Sequence, residues 1–103
     1  MTVASITVRE LRARMEHGDG TVIIDVRSPE EFAQGHVDGA VHVPGADLVR
    51  DASDFGAGAR FVTVCTKGGG RSQAAATALA EMGRDAVFLE GGTLAWLDDT
   101  MPS

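Results

Sequence analysis

The chain has 103 residues, nine Lys plus Arg against fifteen Asp plus Glu, and a formal charge of −6 with histidine neutral. That length supports one hydrophobic core and so a single domain over 1–103, and 44% hydrophobic with 23% charged residues is ordinary for a folded globular chain. The acidic balance disfavours nucleic acid, whose phosphates require clustered Lys and Arg, and with no apolar run near ~18 residues no membrane-spanning helix is expected.

In chain order, Ser5, Ile6 and Thr7 read as a short strand. Thr7 and Glu10 form a Thr-x-x-Glu capping box that opens a helix with Val8, Leu11 and Met15 on one face and Gly18 as its stop. Thr21 to Val26 is apolar on both faces, as a buried parallel strand should be. Ser28, Pro29 and Glu31 supply the cap, first position and third position of a short helix that carries Phe32 and stops at Gly35. Ala40 to Val43 reads as another strand, closed by Pro44. Residues 45–59 hold few large apolar groups and read as a surface connection with one helical turn near Ala46–Val49.

Arg60 to Cys65 is a strong strand, followed by a loop over 66–71 with three consecutive glycines. A helix over 72–82 places Ala75, Leu79 and Met82 on one face and ends at Gly83. Ala86 to Leu89 is the last strand. Gly91 and Gly92 turn the chain, and Thr93 caps a final helix carrying Leu94 and Trp96. Strands alternating with helices predict an α/β fold, a small mostly parallel sheet flanked by helices.

The chemistry concentrates in Cys65, Thr66, Lys67, Gly68, Gly69, Gly70, Arg71 and Ser72, between a predicted buried strand and a predicted helix. In an open α/β sheet the carboxyl end of a strand is where ligands bind. Glycines allow successive N–H groups to turn inward as an anion nest, and the following helix N-terminus adds partial positive charge. Cys65 is the chain's single cysteine and Lys67 its single lysine. The loop dipoles, with Lys67 and Arg71, would favour the thiolate and make Cys65 a nucleophile. Thr66 and Ser72 could each donate a hydroxyl to a bound oxyanion, although capping alone explains Ser72.

Asp25 and Arg27 sit at a strand end and read as a structural ion pair or a support for the loop. His36 is expected to bond backbone or pack near a helix end, and His17 to complement a helix C-terminus. Trp96, Met15 and Met82 are expected in the core. Gly91 and Gly92 read as a turn near the active loop. No Cys, His and Asp spacing suggests zinc. The N-terminal MTVASITVRELRAR lacks a secretory leader pattern, and a lone cysteine fits a reducing cytoplasm, the expected location.

Several segments together carry a family resemblance. Val22 to Arg27 followed by Glu30, Glu31 and Phe32 resembles the first signature of rhodanese-like domains. Gly35 to Pro44 is similar to that family's second block, and Glu90, Gly91, Gly92, Ala95 and Trp96 to its C-terminal block. Cys65 sits where the family's persulfide-forming cysteine sits. The resemblance runs from about Ile6 to Trp96. It implies a single-domain sulfurtransferase without a cofactor, taking sulfane sulfur from a small anion such as thiosulfate, or from a persulfide, and passing it to a thiol or protein acceptor by double displacement.

One departure keeps alternatives open. Arg71 lies six positions after Cys65, whereas common single-domain members place it five after. Cys-x-x-Gly-x-x-Arg-Ser is similar to the loop of cysteine phosphatases and of arsenate reductases in the same fold, which hold a tetrahedral oxyanion. Val64 stands where the phosphatase loop often has His. The alternatives are thus a phosphatase or arsenate reductase using Cys65 and Arg71, and a sulfur-relay module for a protein partner.

Overall fold

The computed structural model describes residues 3–18, 20–56 and 58–100. The elements follow in the order β1 (Ser5–Ile6), α1 (Val8–His17), β2 (Thr21–Asp25), α2 (Pro29–Gln34), β3 (Val41–His42), α3 (Gly45–Asp51), a 3-10 turn (Ala52–Phe55), β4 (Arg60–Val64), α4 (Gly70–Glu81), β5 (Asp85–Leu89) and α5 (Gly92–Thr100). All strands are parallel, in the order β1-β5-β4-β2-β3. The chain leaves β2 toward β3 on one side and leaves β4 toward β5 on the other. The adjacent carboxyl ends of β2 and β4 therefore form the topological switch point, where an open sheet leaves a crevice.

Side chains on successive strand residues point to opposite faces, and both faces are buried. Ile24, Phe61 and Cys65 pack with Leu48 of α3 and Leu79 of α4 on one face. Ile23, Val62 and Val64 pack with Leu11 of α1 and Trp96 of α5 on the other. Arg12 of α1 stacks over Trp96 at 4.1 Å and bonds Asp99 at 2.7 Å, joining α1 to α5. The capping boxes at Thr7/Glu10 and Ser28/Glu31 both form as their sequences predict.

Four expectations are corrected. Residues 45–59 are more than a surface connection. They hold the two-turn helix α3 and the 3-10 turn, with Leu48 and Ala52 buried and Phe55 edge-on to Phe61 at 5.8 Å. Arg84 supplies the anchor that local sequence could not show: its guanidinium donates to the carbonyls of Ala52 and Gly56. Met15 and Met82 are exposed at 38% and 43%: Met15 lies in the last turn of α1 and Met82 is the residue that ends α4, where the packed stretch of each helix stops. The helix after the loop begins at Gly70 rather than Ser72, so Arg71 and Ser72 belong to its first turn. The last helix begins at Gly92, so Thr93 lies inside it rather than capping it.

The carboxyl end of β2 carries a buried charge pair. Asp25 is fully buried and Arg27 is 5% exposed. Arg27 donates from Nε to both carboxylate oxygens at 3.0 and 3.1 Å, from Nη2 to Oδ2 at 2.8 Å, and from its backbone N–H to Oδ1 at 3.0 Å. A second bond from Nη2 reaches the Gly35 carbonyl at 2.7 Å and fixes the end of α2. Desolvation of two ions is compensated only while both remain. Asp25→Asn is therefore expected to lower the unfolding free energy by about 3–5 kcal/mol in urea titration. The double substitution to leucine should lose less than the single one, which strands a buried guanidinium.

Candidate active site

The last residues of β4 aim the loop. Cys65 shares the α4-facing side of the strand with Thr63. The Thr63 hydroxyl donates to the carbonyl of Ser72 at 2.7 Å, which ties the first turn of α4 to the strand. Ser72 is thereby held with its Oγ 3.1 Å from the Cys65 sulfur and 3.2 Å from the Gly69 carbonyl. A hydroxyl has one proton, and it turns to the sulfur when the sulfur is ionised.

Helix α4 differs from α1 and α2 at its start. Its cap is Gly69, with no side-chain hydrogen bond, so its first N–H groups remain open to an anion. Burial pushes the Cys65 thiol up. Hydrogen bonds from the Ser72 hydroxyl and from the backbone N–H groups of Ser72, Gly69 and Lys67 outweigh that and hold it below its ordinary value. Cys65 is 3% exposed and forms the floor of an open depression of about 490 Å³ lined by Thr66, Lys67, Gly69, Gly70 and Arg71.

The carbonyls of Cys65 and Thr66 are held by the start of α5, while that of Gly69 lies 3.8 Å from the Cys65 sulfur. Thr93 N–H donates to the Cys65 carbonyl at 2.9 Å and Leu94 N–H to the Thr66 carbonyl at 3.1 Å. Such close approach requires glycine at Gly68 and Gly92, both at positive φ, +75° and +61°. A Cβ on Gly92 would lie 2.5 Å from the Cys65 carbonyl, and one on Gly68 would lie 2.6 Å from Gly91 N. The Gly91–Gly92 turn thus lies directly under the loop, as its position in the sequence suggested.

At the mouth, α2 meets the loop. Arg71 donates from Nη1 and Nη2 to the two carboxylate oxygens of Glu31 at 2.8 and 3.1 Å. Thr66 Oγ1 donates to Glu31 Oε2 at 3.0 Å and accepts from Arg71 Nη2 at 3.2 Å. Arg71 and then the Ser28 backbone N–H hold the Glu31 carboxyl well below the usual carboxylate range, and Glu31 in turn raises the Arg71 guanidinium. Lys67 stands exposed on the rim. Of the expected loop residues, Cys65, Gly68, Gly69 and Ser72 surround the sulfur or shape its floor. Thr66 and Arg71 are instead engaged by Glu31.

Asp25 and Arg27 stand behind the site as the buried pair rather than on its surface. His42 Nε2 donates to the Arg27 carbonyl at 2.7 Å, and His36 Nδ1 donates to the Phe32 carbonyl at 3.0 Å while stacking on the Phe32 ring at 3.9 Å. Sequence reasoning gave Glu31 only its capping role. The available signal was topological: a helix that follows the strand beside β4 starts next to the loop after β4.

A family model for the rhodanese-like domain matches residues 7–99. The chain is 31% identical to the Bacillus subtilis protein YtwF, provisionally named a sulfurtransferase, over 99% of this chain and 98% of that one. It is 36% identical to the Mycobacterium tuberculosis protein MoeZ, named for adenylyltransferase and sulfurtransferase activities, over 96% of this chain but only 26% of that one. The structure resembles that of a thiosulfate sulfurtransferase from Pseudomonas aeruginosa with a TM-score of 0.87, at 25% identity over 97% of this chain and 20% of the other.

The alkylation rate of Cys65 reports its thiolate fraction. Its pH profile with iodoacetamide is expected to inflect below the free-thiol value of about 8.5. Ser72→Ala should move the inflection up. Lys67→Ala keeps the backbone amide and should move it less.

Proposed function

The chain belongs to the rhodanese-like domain family, and from that membership we propose a sulfurtransferase in which Cys65 carries sulfane sulfur as a persulfide. The observation that carries the reading is the convergence of the Ser72 hydroxyl and the amides of Lys67, Gly69 and Ser72 on one sulfur at the carboxyl end of β4. Those groups favour a thiolate before reaction and an anionic terminal sulfur after it.

The Cys65 thiolate attacks the outer sulfur of a donor such as thiosulfate. The new S–S bond forms as the donor's S–S bond breaks, and sulfite leaves with that bond's electron pair. An acceptor thiolate or cyanide then attacks the terminal sulfur, and the electron pair returns to Cys65. No general acid is required, since both leaving groups depart as anions. The relatives named as sulfurtransferases support this class of chemistry. The match to one quarter of MoeZ favours a protein thiol among the acceptors, in which case the chain works as a relay.

The Cys65-to-Arg71 spacing favours a second reading, hydrolysis of a phosphate ester or reduction of arsenate. A phosphatase needs a proton donor facing the leaving oxygen. The carboxylate bonded to this loop is Glu31, which Arg71 holds ionised at neutral pH. That argues for sulfur transfer over phosphate ester cleavage.

Intact mass after incubation with thiosulfate or polysulfide should show an adduct of about 32 Da, one added sulfur, on the native chain and none on Cys65→Ser. Measured side by side, kcat/KM for sulfur transfer should exceed that for an aryl phosphate by at least about tenfold. Equal or higher phosphatase efficiency would reverse the assignment.

A further inference from the structure

Arg71 is the guanidinium that a tetrahedral donor would meet at the loop, yet it is already bound. Both of its terminal nitrogens are committed to Glu31, in the fork-to-fork geometry with which arginine recognises carboxylate or an oxyanion. Thr66 closes the same ring, donating to Glu31 and accepting from Arg71. Glu31 is fixed from its other side, because its Oε1 also accepts from the Ser28 backbone N–H and hydroxyl at 3.2 and 3.1 Å. The carboxylate is thus anchored by α2 and bridges the switch point onto the loop.

We propose that Glu31 acts as a built-in competitor for Arg71, a positioning residue that sets which donors the loop accepts. A dianionic oxyanion gains the guanidinium only by displacing Glu31 from it. A persulfide needs only the amides and Ser72 around Cys65, which Glu31 does not touch. The site is therefore biased toward persulfide donors and against thiosulfate, phosphate and arsenate. The longer loop widens the space for an oxyanion, and Glu31 withholds the charge that would hold one. This rests on the reading of the Cys65 loop as a sulfur-transfer site, and its binding test is made without turnover so that the two can fail separately.

Inorganic sulfate serves as an unreactive dianion, and its binding is read as protection of Cys65 from alkylation. Glu31→Gln keeps a capping-box residue at the third position of α2, since Gln serves there as Glu does. Glu31→Asp keeps the charge but is one methylene too short to hold both Ser28 and the Arg71 fork. Both should tighten sulfate binding about threefold or more, the scale of one partly exposed charge contact. Both should also lower KM for thiosulfate with little change in kcat. Glu30→Gln, a neighbouring exposed carboxylate outside the ring, should leave both unchanged. In the native chain, saturating sulfate should shift the Glu31 side-chain carboxyl resonance, a readout that needs no variant to fold.

Tightening by Glu31→Gln alone would overturn the proposal, because Glu31 would then act through charge and not through its hold on Arg71. No tightening by either variant, an equal response from Glu30→Gln, or an unmoved Glu31 resonance would also overturn it. If thiosulfate still loads sulfur onto Cys65 in those cases, the sulfurtransferase reading stands and only the competitor role fails.

Discussion

Two backbone hydrogen bonds from the first turn of α5 to the carbonyls of Cys65 and Thr66 set the orientation of the whole site. A loop of amides binds an anion only if its carbonyl oxygens point elsewhere, since each peptide unit carries both ends of a dipole. Here the carbonyls of Cys65 and Thr66 are drawn down onto the open N–H groups of α5, which leaves the amides of Lys67, Gly69 and Ser72 free to face the sulfur. The arrangement requires backbone to lie on backbone, which is why Gly68 and Gly92 meet with no room for a Cβ between them. The C-terminal segment therefore belongs to the site although none of its side chains need touch a substrate.

The same economy of charge appears across the switch point. Asp25 and Arg27 neutralise one another beneath the surface and hold the end of β2 and the start of the chain leading to β3. Glu31 and Arg71 neutralise one another at the mouth. What remains near Cys65 is an array of fixed backbone dipoles and one hydroxyl rather than a pair of free cations. In the proposed transfer, fixed dipoles need no reorganisation when charge moves onto the terminal sulfur, whereas an exposed lysine such as Lys67 is screened by solvent.

The site was partly legible before any fold was known. A cysteine ahead of three glycines and an arginine, between a strand and a helix, reads as a candidate anion-binding nucleophile on local grounds alone. Ser72 reads as a helix cap or a hydroxyl donor to an oxyanion, and its contact with Cys65 is visible only once Thr63 pins the first turn of α4. Met15 and Met82 satisfy the helical period and yet are exposed, because a period gives a direction around the helix axis but not how far along it the packing extends. Residues 45–59 read as a surface connection with one helical turn, since Arg84 and Phe61, which hold them, come later in the chain.

The sequence by itself determined the order of strands and helices, the caps at Thr7 and Ser28, the parallel α/β class, and the choice of Cys65 as the proposed reactive centre. Each of these depends on hydrophobic period, side-chain capping or backbone freedom, which act over a few neighbouring residues. Only the tertiary structure decided which groups face the sulfur and where the charges of Arg71 and Arg27 go. Glu31 lies 40 residues from Arg71 along the chain, and Gly92 lies far from Cys65. Their meeting follows from β2 and β4 being neighbours in the sheet and from α5 returning beneath the loop, and long-range pairing of that kind leaves no periodic trace in the residues themselves.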